Sequence, residues 1–291
     1  MMLSNANPGK DVGQEDLETK LKLSTSRSLK NHIVRVGNVE ISQNTFVIMA
    51  GPNTVESEQM IVETALNAKD SGANILRGGA FKPLTFPYRS EKYFETGLDG
   101  LRWLRTASEA SGLPTVSEVT SVNNLEEVAY HVDMLQIGTR NMQNFDLLQE
   151  CARTNKPILL KRGFGSSLRD WLGAAEYILN EGNDKLVMCE RGVVAPHTHR
   201  ATSRFLLDLQ VIPAFKELSF LPIITDPSHA TFWANWVEPM ALASVAAGSD
   251  GLMIEVHPDP RNAAVDPLQA ISFSEFGQLT KKVASLREAL R

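Results

Sequence analysis

The sequence predicts an α/β protein of the parallel (β/α)8-barrel type, and three observations carry that reading. From Thr45 onward, eight short runs rich in β-branched and aliphatic residues alternate with longer amphipathic stretches. The runs are apolar almost throughout, as strands are when helices cover one face and a packed lumen the other. Polar or charged residues follow directly on nearly every run, at the strand ends where such a barrel carries its chemistry. The chain of 291 residues, 43% hydrophobic, is long enough for one such barrel and an extension. A doubly wound open sheet is the other architecture this alternation allows.

Residues 1–31 are polar and charge-mixed, with a weak helical pattern around Leu17 to Leu23, and read as a loose N-terminal arm. Residues 32–291 read as the catalytic domain, which opens with a hairpin, His32 to Gln43, around the turn Gly37-Asn38. The eight strand candidates are FVIMAG from Phe46, NILRGG from Asn74, PTVSEV from Pro114, DMLQIG from Asp133, PILLKRG from Pro157, LVMCERG from Leu186, LPIITDPSH from Leu221 and GLMIEVHP from Gly251. Between them, Glu56 to Lys69, Leu98 to Ala110, Phe145 to Arg153, Leu168 to Leu179, Thr202 to Leu218 and Pro239 to Ala247 carry apolar residues at three- and four-residue spacing, the mark of amphipathic helices. The stretch Phe81 to Gly97, rich in Lys, Pro and aromatic residues, reads as an active-site loop.

A formal net charge of −5 argues against a binder of nucleic-acid backbones, which needs a basic face. No run approaches the apolar length of a membrane span, and the N-terminus lacks the pattern of a secretory leader, so a cytoplasmic enzyme without membrane partners is expected. Cys151 and Cys189 have neither disulfide-framework nor metal-ligand spacing and read as reduced thiols.

The residues gathered at the strand ends are Asn53, Arg77 with Lys82, Glu118, Arg140, Lys161 with Arg162, Glu190 with Arg191, Asp226 with His229, and Glu255 with His257. Arg77, Lys82, Arg140, Lys161 and Arg191 put more positive charge into one mouth than an acidic protein would crowd there without an anionic ligand. Arginine forks carboxylate or phosphate, and lysine adds a point charge, so a small multiply charged anion is implied. The bland alternative pairs each cation with a neighbouring carboxylate, for example Arg191 with Glu190. His229, Glu255 and Asp266 combine an imidazole with two carboxylates, a set suited to Mn, Fe or Zn, although a strand-end His is more often a hydrogen-bonded structural residue. His257 is a weaker candidate, and His197 and His199 read as part of a solvated loop. Gly163-Phe164-Gly165 and Gly78-Gly79 supply backbone freedom, and Trp233 and Trp236 read as packing.

With these residues in view, the chain from about Ile33 onward resembles the shorter microbial class of 3-deoxy-D-arabino-heptulosonate 7-phosphate (DAHP) synthases. The matching stretches are AGPNTVES at Ala50, LRGGAFKP at Leu76, LQIGTRNMQNF at Leu135, PILLKRGFG at Pro157, CERG at Cys189, LPIITDPSH at Leu221 and MIEVHPDP at Met253. The 3-deoxy-D-manno-octulosonate 8-phosphate synthases share this architecture and are the nearest competitor. The resemblance implies condensation of phosphoenolpyruvate with a phosphorylated aldose, erythrose 4-phosphate first among them, at the entry to aromatic amino acid biosynthesis through the shikimate pathway. A sister synthase with another aldehyde, or a non-catalytic phosphoenolpyruvate-binding relative, are the other readings.

By the same resemblance Arg140, Lys161 and Arg191 grip the phosphoenolpyruvate phosphate and carboxylate, with Arg77 nearby. Lys82 stands between the two substrates, Thr85 contributes to substrate binding, and His229 faces the phosphoenolpyruvate. Glu255 and Asp266 complete the metal-side wall and serve the attacking water. A homodimer or homotetramer is implied.

Three positions depart from the family pattern. Asn53 stands where the family has a metal-binding Cys, and a neutral amide is a far poorer ligand than a thiolate. The resulting expectation is catalysis without a required cofactor, a divalent metal (Mn, Fe or Zn) binding weakly if it binds through His229, Glu255 and Asp266. Lys82-Pro83-Leu84-Thr85 replaces the usual Lys-Pro-Arg-Thr, with Arg89 placed to compensate, and the loop after Arg191 reads Val-Val-Ala-Pro-His-Thr-His. Both of these changes touch the acceptor side.

Overall fold

All eight apolar runs form strands in a computed structural model of the chain, which describes residues 20–25, 32–82, 95–195 and 205–291. These strands are β3 (Val47–Gly51), β4 (Ile75–Arg77), β5 (Thr115–Val119), β6 (Met134–Ile137), β7 (Ile158–Lys161), β8 (Leu186–Glu190), β9 (Ile223–Thr225) and β10 (Gly251–Glu255). They pair parallel in chain order, and β10 closes on β3 with Gly251 opposite Val47 and Glu255 opposite Gly51. Closure leaves the barrel no sheet edge, so the open-sheet alternative is excluded.

Before the barrel, β1 (Val34–Val36) and β2 (Val39–Ile41) form the expected hairpin, turning at Gly37 with a positive φ of 55°. Two three-residue strands are not stable alone. Val34, Val36 and Ile41 are fully buried against Val47, Met49, Ile75, Val116, Met134, Leu159, Val187, Ile224 and Met253, the lower filling of the barrel lumen. Burying each such side chain contributes about 1.5–3 kcal/mol, enough to hold the hairpin as a plug in the barrel's N-terminal end.

A second apolar layer lies between the barrel and its helices: α1 (Glu58–Asp70), α2 (Gly97–Ser111), α3 (Leu125–His131), α4 (Phe145–Arg153), α5 (Leu168–Asn180), α6 (Val211–Leu218), α7 (Pro227–Thr231), α8 (Ala234–Ala246) and α9 (Phe273–Ala289). Local chemistry sets several ends. Ser57 accepts the Met60 N–H, Ser167 and Ser272 form capping boxes with Asp170 and Glu275, and Gly112 ends α2 in the left-handed region. None of the helices among the described residues is long and apolar enough to cross a membrane.

The structure corrects the expected elements at four places. Periodicity did not bring out α3 and α9. The helix expected over Thr202 to Leu218 begins only at Val211, because Leu206 pairs with Val193 instead. The last helix before β10 starts at Ala234, with Pro239 inside it. Finally, Asp226-Pro227-Ser228-His229 is not a strand end. Asp226 caps α7 by accepting the His229 N–H, with Pro227 in the first turn, so His229 rides on a helical turn.

Residues 20–25, part of the expected loose arm, are docked. The Glu176 carboxylate of α5 accepts from the Leu23 and Ser24 N–H groups and the Ser24 hydroxyl, while Leu21 and Ser24 are buried.

Candidate active site

Side chains alternate along a strand, so one parity of each barrel strand faces the lumen. The inward apolar residues Met49, Ile75, Val116, Met134, Leu159, Cys189, Ile224 and Met253 are each followed two positions later by Gly51, Arg77, Glu118, Gln136, Lys161, Arg191, Asp226 and Glu255. The lumen is thus dry at its base and charged at its rim. Residues of the other parity point away. Arg162 and Glu190 meet each other at 2.9 Å, joined by Asp208 at 2.8 Å from Arg162. The sequence pairing of Arg191 with Glu190 does not occur; the Glu190 partner is Arg162.

Asn53 lies at the centre of the charged layer. Its Oδ1 accepts from Arg77 at 3.3 Å and from the Lys82 ammonium, and its Nδ2 donates to Asp266 at 3.1 Å. The Asp266 backbone sits at φ 52°, in the left-handed region. Gly51, at φ 149°, has no room for a side chain, since a Cβ would come within 2.0 Å of the Arg77 carbonyl oxygen.

Burial pushes the Lys82 ammonium below its ordinary pKa, against the opposing attraction of Glu118. Glu118 accepts from Gln136 at 3.1 Å and occupies space that a Cβ on Gly138 would take.

Lys161 donates to Asp226 at 2.6 Å, and Asp226 also meets Nδ1 of His229 at 2.9 Å. Burial opposes ionisation of Asp226, yet its contacts with His229 and the Lys161 ammonium hold the carboxyl well below its ordinary value. Burial and the nearby cations Lys161 and Arg77 take His229 down to about 3, against the attraction of Asp226. The ring is therefore neutral at pH 7, its proton fixed on Nδ1 by the Asp226 acceptor. Its Nε2 lies 3.7 Å from Glu255. Glu255 is raised to about 7 by burial, with Arg77 at 3.6 Å and the Gln269 amide at 2.6 Å opposing the shift.

The predicted cations therefore converge, and Arg77 and Lys161 lie within ion-pair distance of Glu255 and Asp226. Arg140 and Arg191 complete the set on the far side, both over the Phe164 ring. His257 stands apart, braced by Glu56 at 3.2 Å. Thr85, Leu84, Arg89, His197 and His199 lie outside the described residues. Trp233 and Trp236 tilt against one another with centroids 6.3 Å apart. Sequence reasoning found Glu118 and Asp226 without giving them roles and did not single out Gln136, Gln269 or Phe205. The step of two from each inward apolar residue is the signal that separates Lys161 from Arg162 and Arg191 from Glu190.

Of the expected metal trio, His229 and Glu255 approach to 3.7 Å and Asp266 acts on Glu255 through its charge. Among the described residues no three His, Cys, Asp or Glu side chains are grouped as ligands. Glu255 accepts from Gln269, Asp266 from Asn53, and the Asn53 oxygen takes two cationic donors. A neutral amide oxygen already committed to two cationic donors does not fit as a ligand to a resident divalent ion.

A profile of the DAHP synthetase I family matches residues 22–291. The chain belongs to that family. It is 40% identical over 258 residues to the phospho-2-dehydro-3-deoxyheptonate aldolase of Thermotoga maritima, covering 89% of this chain and 75% of that protein. Against a crystal structure of the Thermotoga maritima DAHP synthase, this family member superposes with a TM-score of 0.86 at 38% identity, over 92% of this chain and 77% of the other. With a truncated form of the Thermotoga maritima synthase the TM-score is 0.83, and 96% of that chain is covered. A 2-dehydro-3-deoxyphosphooctonate aldolase of Geotalea uraniireducens is 26% identical over 274 residues. The family, the barrel and the charged rim thus agree on a DAHP synthase-type enzyme.

Proposed function

We propose that the chain condenses phosphoenolpyruvate with erythrose 4-phosphate to give DAHP and inorganic phosphate, at the entry to aromatic biosynthesis. The carrying observation is the layer of Arg77, Lys82, Lys161 and Arg191 directly above a sealed apolar lumen. Cations on low-dielectric walls suit a donor bearing one carboxylate and one phosphate.

In this reading Arg140, Lys161 and Arg191 hold the donor's anionic groups, and Arg77 stands behind them. The donor's C3 attacks the aldehyde carbon with the electrons of its C2–C3 double bond, and the aldehyde oxygen takes a proton from Lys82. Burial, which makes that ammonium a readier acid, supports the role. Water then adds at C2, losing its proton to the carboxylate side formed by Glu255 and Asp266. Collapse of the adduct breaks the C2–O bond, releases phosphate and leaves a ketone. His229, neutral and tied to Asp226, packs against the donor, and Thr85 contacts the acceptor.

No divalent metal is needed in this scheme, since the Asn53 amide ties Lys82, Arg77 and Asp266 together. The catalytic unit is 32–291, working as a homodimer or homotetramer, which light scattering tests. Phosphate release from phosphoenolpyruvate is the direct assay, with erythrose 4-phosphate set against arabinose 5-phosphate and unphosphorylated aldehydes. The highest kcat/KM is expected with erythrose 4-phosphate, unchanged after exhaustive chelation. Preference for another aldehyde would reassign the acceptor, and loss of turnover restored by one metal per chain would overturn metal independence.

A further inference from the structure

Two arginines of the mouth share one aromatic ring. The guanidinium carbon of Arg140 lies 5.5 Å from the Phe164 centroid, and that of Arg191 lies 5.2 Å from it. Phe164 stacks on Phe205, centroids 4.9 Å apart and planes within 12° of parallel, and Arg191 is 4.1 Å from the Phe205 centroid. Neither ring belongs to the packed core; both are only part-buried.

Backbone contacts hold the chain that carries the rings. The Val194 N–H donates to the Phe164 carbonyl at 2.7 Å, and Val193 pairs antiparallel with Leu206. Asp208 is held by Arg162 at 2.8 Å. Phe205 is therefore held at the mouth by the pairing of the residues that follow it. Gly192 makes room for it, because a Cβ there would lie 2.7 Å from the Phe205 Cβ.

A guanidinium stacked on a ring uses its face, which leaves the N–H edge oriented for a planar fork onto oxygen. Two cations beside one ring also repel each other, and an anion between their edges relieves that repulsion. We propose that Phe164, backed by Phe205, is a positioning residue that sets the planes and spacing of Arg140 and Arg191 so that both close on one anionic group of the donor. The proposal deepens the function proposed above and rests on Arg140 and Arg191 binding phosphoenolpyruvate.

The test compares wild type with Phe164→Leu, Phe164→Tyr and Phe205→Leu. Calorimetry measures binding of phosphoenolpyruvate alone, steady-state kinetics follow with erythrose 4-phosphate, and thermal melts check folding. Leucine removes the π face at similar bulk. Phe164→Leu is expected to weaken Kd and KM for phosphoenolpyruvate by roughly 5- to 30-fold. Its kcat and its KM for the aldehyde should stay within about twofold, well below that range. Phe164→Tyr keeps the face and should bind like wild type, while Phe205→Leu should fall between. An unchanged Kd in Phe164→Leu, or a tyrosine variant as weak as the leucine one, overturns the proposal while wild-type turnover stands. Wild type that binds phosphoenolpyruvate but releases no phosphate with any aldehyde overturns the reaction, and the variant binding constants still decide the role of Phe164.

Discussion

Lys82 is a buried ammonium bonded to an amide oxygen rather than to a carboxylate, with Glu118 as the carboxylate acting most strongly on it. A group so placed is suited to giving up a proton during turnover. Lys82→Met is expected to lower kcat by about 10²- to 10⁴-fold, the usual contribution of a positioned acid, with the melting temperature little changed. Lys82→Arg should not restore it, since a guanidinium keeps its proton. Phosphate release measured on both variants decides, and an arginine variant with wild-type kcat would show that charge alone suffices. At this scale the identities of the cations were legible, because strand-end position marks them. Their pairing was not: Arg162 and Arg191 each adjoin another charged residue in the chain, and only the parity of the strand sends one outward to Glu190 and the other to the mouth.

Elements explain why particular small residues sit where they do. Gly138 follows β6 at φ −70°, a backbone any residue adopts, so its lack of a side chain answers a spatial need. A Cβ there would come within 2.0 Å of Glu118 Oε1 and 2.8 Å of its Cδ. Gly138→Ala should therefore push Glu118 off Gln136 without straining the backbone. Turnover is expected to fall by roughly tenfold or more, the scale of a 1.4 kcal/mol change, while the fold persists. The check is kcat beside the thermal midpoint, and equal wild-type values for both would remove Glu118 from the chemistry. The strands themselves were plain in the sequence as continuous apolar runs. The short helix α7 was not, because Asp-Pro after β9 reads equally as a strand end or as a capped first turn, and the apolar segment before it does not distinguish them.

Across the whole molecule the two ends of the barrel do different work. The rim carries ionised groups, whereas the base is closed by the hairpin, with residues 20–25 docked on Glu176 of α5. Asp250 also lies at the base, taking Lys216 at 2.5 Å and the Ile223 N–H at 2.9 Å. Burial raises its carboxyl from 3.8 to about 6, with Lys216 opposing the shift. The folded protein then holds that proton more tightly than the unfolded chain. The stabilising contribution is complete below the ordinary value and is lost as the pH rises through the folded one. Asp250→Asn lacks this titration, so its melting temperature relative to wild type should climb between about pH 4 and pH 7. Calorimetry at three pH values across that range tests it, and a constant difference would mean the carboxyl is ionised throughout.

The amino-acid sequence by itself determined the barrel, its strands, the hairpin and the set of charged residues at the strand ends. These follow from local periodicity and from burial on both faces, which neighbouring residues encode directly. Tertiary structure alone decided that Asn53 joins Lys82, Arg77 and Asp266, that His229 comes within reach of Glu255, and that Phe164 lies beside two arginines. Those contacts link residues far apart in the chain, and closing the barrel is what brings them within hydrogen-bonding reach.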